Sequence, residues 1–255
     1  MMKYKGYLID LEGTMYRGSE PIPAATAFIK RLQAEKIPFL FVTNNTTKSQ
    51  EEVVKNLSTN FDIHVTEAEV YTGSIATAAY LKSLDKGNKV YAIGEAGLKL
   101  ALSEAGFVEE ETNPDYVVVA LDRNVHYHNF ELATLAIHRG ARFISTNKDT
   151  NLPSEKGLIP GAGALTALII ASTKKQPTYI GKPEAIIMEE ALKVIGLDKS
   201  DVLMVGDNYE TDIMAGIQNE IDSLLVLSGF TSEKDLEKVA KQPTYVVKSL
   251  AEWEF

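Results

Sequence analysis

Four polar motifs, each closing an apolar run, carry the chemistry this chain could perform. Asp10 ends the run in YLIDLEGTMY, and Glu12, Gly13 and Thr14 follow as the chain turns away. A carboxylate at the end of a buried strand stands at the carboxyl edge of a sheet, where open α/β folds hold their ligands. There it can coordinate a hard cation or act as a nucleophile, although a strand-ending Asp also begins ordinary turns. Thr43 ends FLFVT and precedes Asn44 and Asn45. These hydroxyl and amide groups suit phosphate oxygens, and they equally suit a helix cap. Lys182 lies in YIGKPE, where Gly181 lets the backbone turn and Pro183 fits the first position of a helix. A Lys fixed there is a point charge for a phosphate; unfixed, it is a solvated surface group. Asp207 ends VLMVGD, with Asn208 next and Asp212 five residues on. The two Asp residues can supply one metal ligand and one supporting anchor, or a turn and a cap.

The elements that must position these groups alternate between strand and helix. Gly6–Ile9 and Phe39–Thr43 are apolar enough for buried strands, and the amphipathic stretch 24–36 between them reads as a helix. A helix over 49–57 and a strand end over 70–73 follow. Strands at 89–93, 116–121 and 142–146 then alternate with helices at 96–105 and 129–139, a complete small α/β unit. Short strands at 179–181 and 202–206 are each followed by a helix. This order predicts an α/β protein with parallel strands. The apolar stretch of PGAGALTALIIAS reads as a helix packed in the interior, because a phosphate loop of the Walker type needs a Lys-Ser/Thr that is missing.

Composition narrows the function classes. With 26 basic and 35 acidic residues the net charge is −9, which argues against a phosphate-backbone groove and hence against nucleic acid as a partner. There is no cysteine, so no disulfide, thiolate metal site or Cys nucleophile. The longest apolar stretch, near 162–171, is too short to span a bilayer. MMKYKGYLID reads as a start region running directly into the first strand, without the apolar segment of a signal peptide, and a cytoplasmic location is expected. The four histidines are scattered, and Trp253 reads as an aromatic anchor for the carboxyl terminus.

The ordered set DLEGT at 10–14, VTNN at 42–45, GKP at 181–183 and GDNYETD at 206–212 resembles the haloacid dehalogenase superfamily of phosphatases. TGS at 72–74, STNKD at 145–149 and PGAGAL at 160–165 are similar to its NagD-type, 4-nitrophenylphosphatase-like branch. About 140 residues separate Thr43 from Lys182, against the 30 or so that a βαβ crossover needs. The resemblance therefore implies a Rossmann-like catalytic core over 1–73 and 179–255, with an inserted α/β cap over 74–178 that sets substrate specificity.

It also implies Mg2+-dependent hydrolysis of small phosphomonoesters (sugar phosphates, nucleoside monophosphates or aryl phosphates) through an aspartyl-phosphate. Asp10 would be the nucleophile. Asp10, the main-chain carbonyl of Glu12 and Asp207 would bind the metal, while Thr43, Asn44, Asn45 and Lys182 hold the phosphate, and Asn208 and Asp212 support from behind. Glu12 departs from the family pattern, which has Asp there as general acid and base. The additional methylene can misplace a catalytic carboxylate by about 1 Å, worth on the order of a hundredfold in rate. A phospho-ligand-binding protein with weak or lost catalysis is therefore the alternative. A receiver domain is disfavoured by the long insertion, and carbon–phosphorus cleavage by the want of an identifiable Schiff-base Lys. In the cap, Asn147 and Asp149 would line the substrate entrance, unless STNKD is a plain polar connection. Caps of this kind contribute to dimerisation in related proteins, which leaves a homodimer open.

Overall fold

The computed structural model describes residues 3–154 and 156–255; the reading of Met1 and Met2 as a start region lies outside them. The chain forms two compact units. One contains the residues up to Thr43, Gln50–Tyr71 and Lys182–Phe255, the other Asn44–Ser49 and Thr72–Gly181.

The first unit is built on a six-stranded sheet. Its order is Tyr245–Val247, Asp222–Val226, Val202–Gly206, Gly6–Ile9, Phe39–Thr43, Val70–Thr72, and the pairings along the first five are parallel. Gly6–Ile9, Phe39–Thr43 and Val202–Gly206 are buried throughout, which explains their unbroken apolar sequences. From Gly6–Ile9 the chain moves one way to Phe39–Thr43, and later fills the other side through Val202–Gly206. The switch point of the sheet thus lies between Gly6–Ile9 and Val202–Gly206, the place where such folds open a ligand crevice.

Helices cover this sheet for the usual amphipathic reason. In Pro23–Ala34, Ala25, Phe28, Ile29 and Leu32 are buried, a spacing that puts one stripe against the sheet. Phe28 meets the ring of Tyr7 edge-on at 5.5 Å. The helix ends where Glu35 caps it and Lys36 takes a left-handed conformation. Trp253 does anchor the terminus: its indole donates to the Tyr7 hydroxyl at 3.2 Å, and its ring packs edge-on against Tyr245.

The second unit has its own five-stranded parallel sheet, ordered Thr178–Tyr179, Arg142–Ser145, Tyr116–Val119, Lys89–Ile93, Val108–Glu109. A separate core of Tyr91, Ile93, Val117, Val119, Ala133, Ile137 and neighbours fills it. One expectation is corrected here. The helix Ala162–Thr173 does not run through the interior: Ala162, Gly163, Thr166, Ile169 and Thr173 face the core, while Leu168 is 44% exposed. Its apolar residues continue around the whole helix, so the sequence conceals which stripe is buried.

Pro183 is the second difference. It follows a cis peptide bond and lies in a turn, and the next helix, Ala185–Ile195, starts two residues later with Glu184 as its extended N-cap.

Candidate active site

Register explains why the acidic groups gather. Ile9 pairs with Phe41 on one side and Val205 on the other, so the three strands end within two residues of one level. Asp10 follows Ile9 and keeps the ladder through its amide, which donates to Val205 O at 2.9 Å. Asp207 emerges beside it, and Asp212 returns to the same place on the short π-helical turn Tyr209–Ile213.

Lys182 arrives from the other end of the chain and is 2% exposed. Its ammonium donates to Asp10 Oδ1 at 2.6 Å and to Asp212 Oδ1 at 2.7 Å. Asp212 is further held by the Asn208 amide, which donates to Oδ2 at 3.1 Å. Asp207 accepts at both oxygens: from the Thr14 hydroxyl at Oδ1, 3.1 Å, and from the Phe230 amide at Oδ2, 2.7 Å. Two glycines make room for that carboxylate. A Cβ at Gly229 would stand 1.9 Å from Asp207 Oδ2; one at Gly13, where φ is +88°, would stand 2.2 Å away. No side chain fits either position without displacing Asp207.

Three carboxylates and one ammonium carry a net charge of −2 when all are ionised. Burial, with repulsion from Asp212 and Asp207, holds the Asp10 carboxyl well above the usual carboxylate range even though Lys182 pulls it down. Burial and Asp212 push Asp207 up to about 6. Burial works against the charge on Lys182, but Asp10 and Asp212 outweigh it and raise its pKa, so the ammonium persists. Such a cluster is short of positive charge. Asp10, Asp207 and Asp212 each offer an oxygen within 4.8 Å of the others. Among the described residues no other group of acidic or His side chains offers such a set. Hard oxygen donors and a deficit of two charges fit a hard divalent cation.

Not every expected site residue joins this cluster. Thr43 is buried at the end of the neighbouring strand in the first unit. Glu12 is exposed, and its Oε1 accepts from the Gly18 amide at 2.7 Å. That amide is a fixed donor, because Tyr16–Arg17 pairs with Glu20–Pro21 in a small hairpin and Tyr16 stacks on Phe61 at 4.2 Å. Asn44 and Asn45 belong to the second unit. There the Asn44 side chain donates to Asp149 Oδ2 at 3.3 Å, and Asn147 donates to Asn44 O at 3.3 Å. Asn45 Oδ1 accepts from the amide and hydroxyl of Thr47, fixing a tight turn.

A family model described as haloacid dehalogenase-like hydrolase matches residues 7–108, and a HAD-hydrolase-like model matches residues 179–253. The chain is 49% identical over 253 residues to the 5'-nucleotidase YutF of Bacillus subtilis, covering 99% of this chain and 98% of that one. It belongs to the haloacid dehalogenase-like hydrolases. The acid sugar phosphatase of Staphylococcus haemolyticus is 48% identical over 98% of this chain and 95% of its own. In structure, the chain is similar to a mutant of the thermostable p-nitrophenylphosphatase of Bacillus stearothermophilus, with a TM-score of 0.90 and 52% identity over the whole of both chains.

In this haloacid dehalogenase-like hydrolase, three supports of the acidic cluster escape a reading by strand ends. Thr14 lies inside DLEGT but reads as part of a turn. Gly229 and the Phe230 amide lie in LSGFTS, more than 20 residues beyond Asp207 along the chain and past the next strand. A backbone N–H leaves no signature in sequence, and the only hint is the glycine itself. No helix among the described residues is long and apolar enough to cross a membrane.

Proposed function

We propose that this hydrolase is a Mg2+-dependent phosphatase of small phosphomonoesters, with Asp10 as nucleophile. The observation that carries the reading is the buried Lys182 ammonium held between Asp10 and Asp212, with Asp207 alongside at the switch point of the sheet. The names of the relatives, a 5'-nucleotidase, an acid sugar phosphatase and a p-nitrophenylphosphatase, support small phosphorylated substrates. All match over nearly their full length, which favours hydrolysis over binding alone.

An Asp10 carboxylate oxygen attacks phosphorus, the ester P–O bond breaks, and the leaving oxygen takes a proton. Water then attacks the aspartyl-phosphate, freeing inorganic phosphate and restoring Asp10. Lys182 neutralises phosphoryl oxygens while Thr43 donates to them. Asp212 fixes Lys182, and Asn208 fixes Asp212. A cation held by Asp10, Asp207 and the main-chain carbonyl of Glu12 would offset the repulsion between carboxylate and phosphate. The second unit, inserted between strands of the first, is read as the cap that selects the substrate, with Asn147 and Asp149 among its contacts.

Inorganic phosphate release from a panel of phosphomonoesters tests this reading. Chelation with EDTA should lower release by at least about a hundredfold, since a bound cation supplies several kcal/mol and about 1.4 kcal/mol is tenfold. Equal rates with and without chelator would remove the cation from the proposal, and no release from any ester would remove the phosphatase.

Glu12 would protonate the leaving oxygen, and for that its carboxylate must give up the Gly18 amide. Aspartate, one methylene shorter, reaches that amide less readily and stays nearer the cluster. Glu12→Asp is expected to raise kcat by about tenfold, within what a misplacement near 1 Å costs. An unchanged or lower kcat would show that the additional methylene does not limit the rate.

A further inference from the structure

Phe230 stands apart from every other phenylalanine in the chain. The others are buried or half-buried, whereas Phe230 is 66% exposed. Among the described residues its ring stacks on no other aromatic. Yet the backbone that carries it is one of the most firmly fixed segments near the acidic cluster. The Phe230 amide donates to Asp207 Oδ2 at 2.7 Å, and the Thr231 amide donates to Asp207 O at 3.1 Å. The Thr231 hydroxyl accepts from the Tyr209 amide at 2.8 Å. On the other side, the Ser228 hydroxyl donates to Gly13 O at 3.0 Å, and Gly229 has the Asp207 carboxylate where a Cβ would be.

These contacts bound where the ring can be. From an amide 2.7 Å from Asp207 Oδ2, covalent geometry keeps the ring centre within about 8 Å of that oxygen in any rotamer. The first ring of a leaving group on a phosphoryl held at the cluster would fall within that bound. A mobile loop with an exposed ring would need no explanation. The contacts that support Asp207 also fix, on both sides, the backbone from which this bare ring projects.

We infer that Phe230 is a specificity residue of this site, a stacking platform for planar aromatic leaving groups of phosphomonoesters, the aryl or nucleobase kind. The inference rests on the phosphatase reading. A flat apolar ring contributes most to another π-face and little to a hydroxyl-rich sugar.

Two phosphonates that cannot be hydrolysed, phenylphosphonate and methylphosphonate, separate ring recognition from turnover when titrated calorimetrically into the full chain with Mg2+. The native protein should bind the phenyl compound about tenfold more tightly, the scale of one aromatic contact. Phe230→Ala should reduce that ratio to within about twofold while leaving methylphosphonate affinity in place, and Phe230→Tyr should retain it. A ratio unchanged in Phe230→Ala overturns the inference with the phosphatase reading intact. Equal weakening of both phosphonates also overturns it, assigning the residue to the support of Asp207 alone. Failure of both to bind the native protein overturns the phosphate site and the inference together.

Discussion

Replacing Asp10 with Asn is expected to lower phosphate release by at least about a thousandfold, the consequence of removing a nucleophile that no neighbour can replace. The same change should leave the fold as stable as before, or more so. Asp10 is buried, and its carboxyl is held well above the ordinary range by that burial and by Asp212 and Asp207. A group whose pKa rises on folding binds its proton more tightly in the native state. Its ionised form at neutral pH therefore costs stability, increasingly as pH rises from the ordinary carboxylate value through the raised one. Asparagine keeps the shape and an oxygen to accept from Lys182, and it removes one negative charge from a cluster with an excess of two. Thermal melts in EDTA at neutral pH, beside phosphate release with Mg2+, check both halves. Activity retained within tenfold would dismiss Asp10 as nucleophile. Lost activity together with a melting temperature several degrees lower would mean that the loss is structural.

Much of this site is legible in the sequence, for an identifiable reason. Fully buried parallel strands have no solvent face, so YLI, FLFV and VLMV are continuous apolar runs, and the first polar residue after each marks the edge of the sheet. Asp10, Thr43 and Asp207 are therefore placed by composition alone. The convergence of Lys182 depends on a strand order that no local pattern encodes, and only the ordered set of motifs suggests it. Where the chain is illegible, other physics governs. The direction of Glu12 is settled by a backbone donor at Gly18 that carries no side-chain signature. The grouping of Asn44 with the second unit follows from its bonds to Asn147 and Asp149, about a hundred residues away. The buried stripe of Ala162–Thr173 is hidden because its other face is nearly as apolar. The start of the helix after Pro183 is displaced because Glu184, not Gly181 or Lys182, takes the extended cap conformation.

Lys182 is where stability and chemistry pull on the same atom, and Lys182→Met should separate them. Methionine fills the volume but leaves Asp10, Asp207 and Asp212 facing one another without a cation. Removing one partner from a buried ionic cluster costs about 3–5 kcal/mol, or about 10 °C in melting temperature for a chain of this size. The pH dependence has a definite sign. The folded pKa of Lys182 is raised, so its contribution is fully present below the ordinary lysine value and lost only in strongly alkaline solution. Across pH 5 to 8 the ammonium does not titrate, and any change in the deficit comes from the carboxylates. Those of Asp10 and Asp207, the latter already near 6 with Lys182 present, take up protons as pH falls and relieve the repulsion. The melting-temperature difference between native and variant proteins in EDTA should therefore be larger at pH 8 than at pH 5. Adding Asp212→Asn to the variant removes the second partner of the lost ammonium and should recover part of the deficit, a coupling that a double-mutant cycle measures directly. A deficit independent of pH, with no recovery in the double variant, would mean that Lys182 stabilises the fold through its aliphatic packing rather than its charge, and the electrostatic account of the site would fall with it.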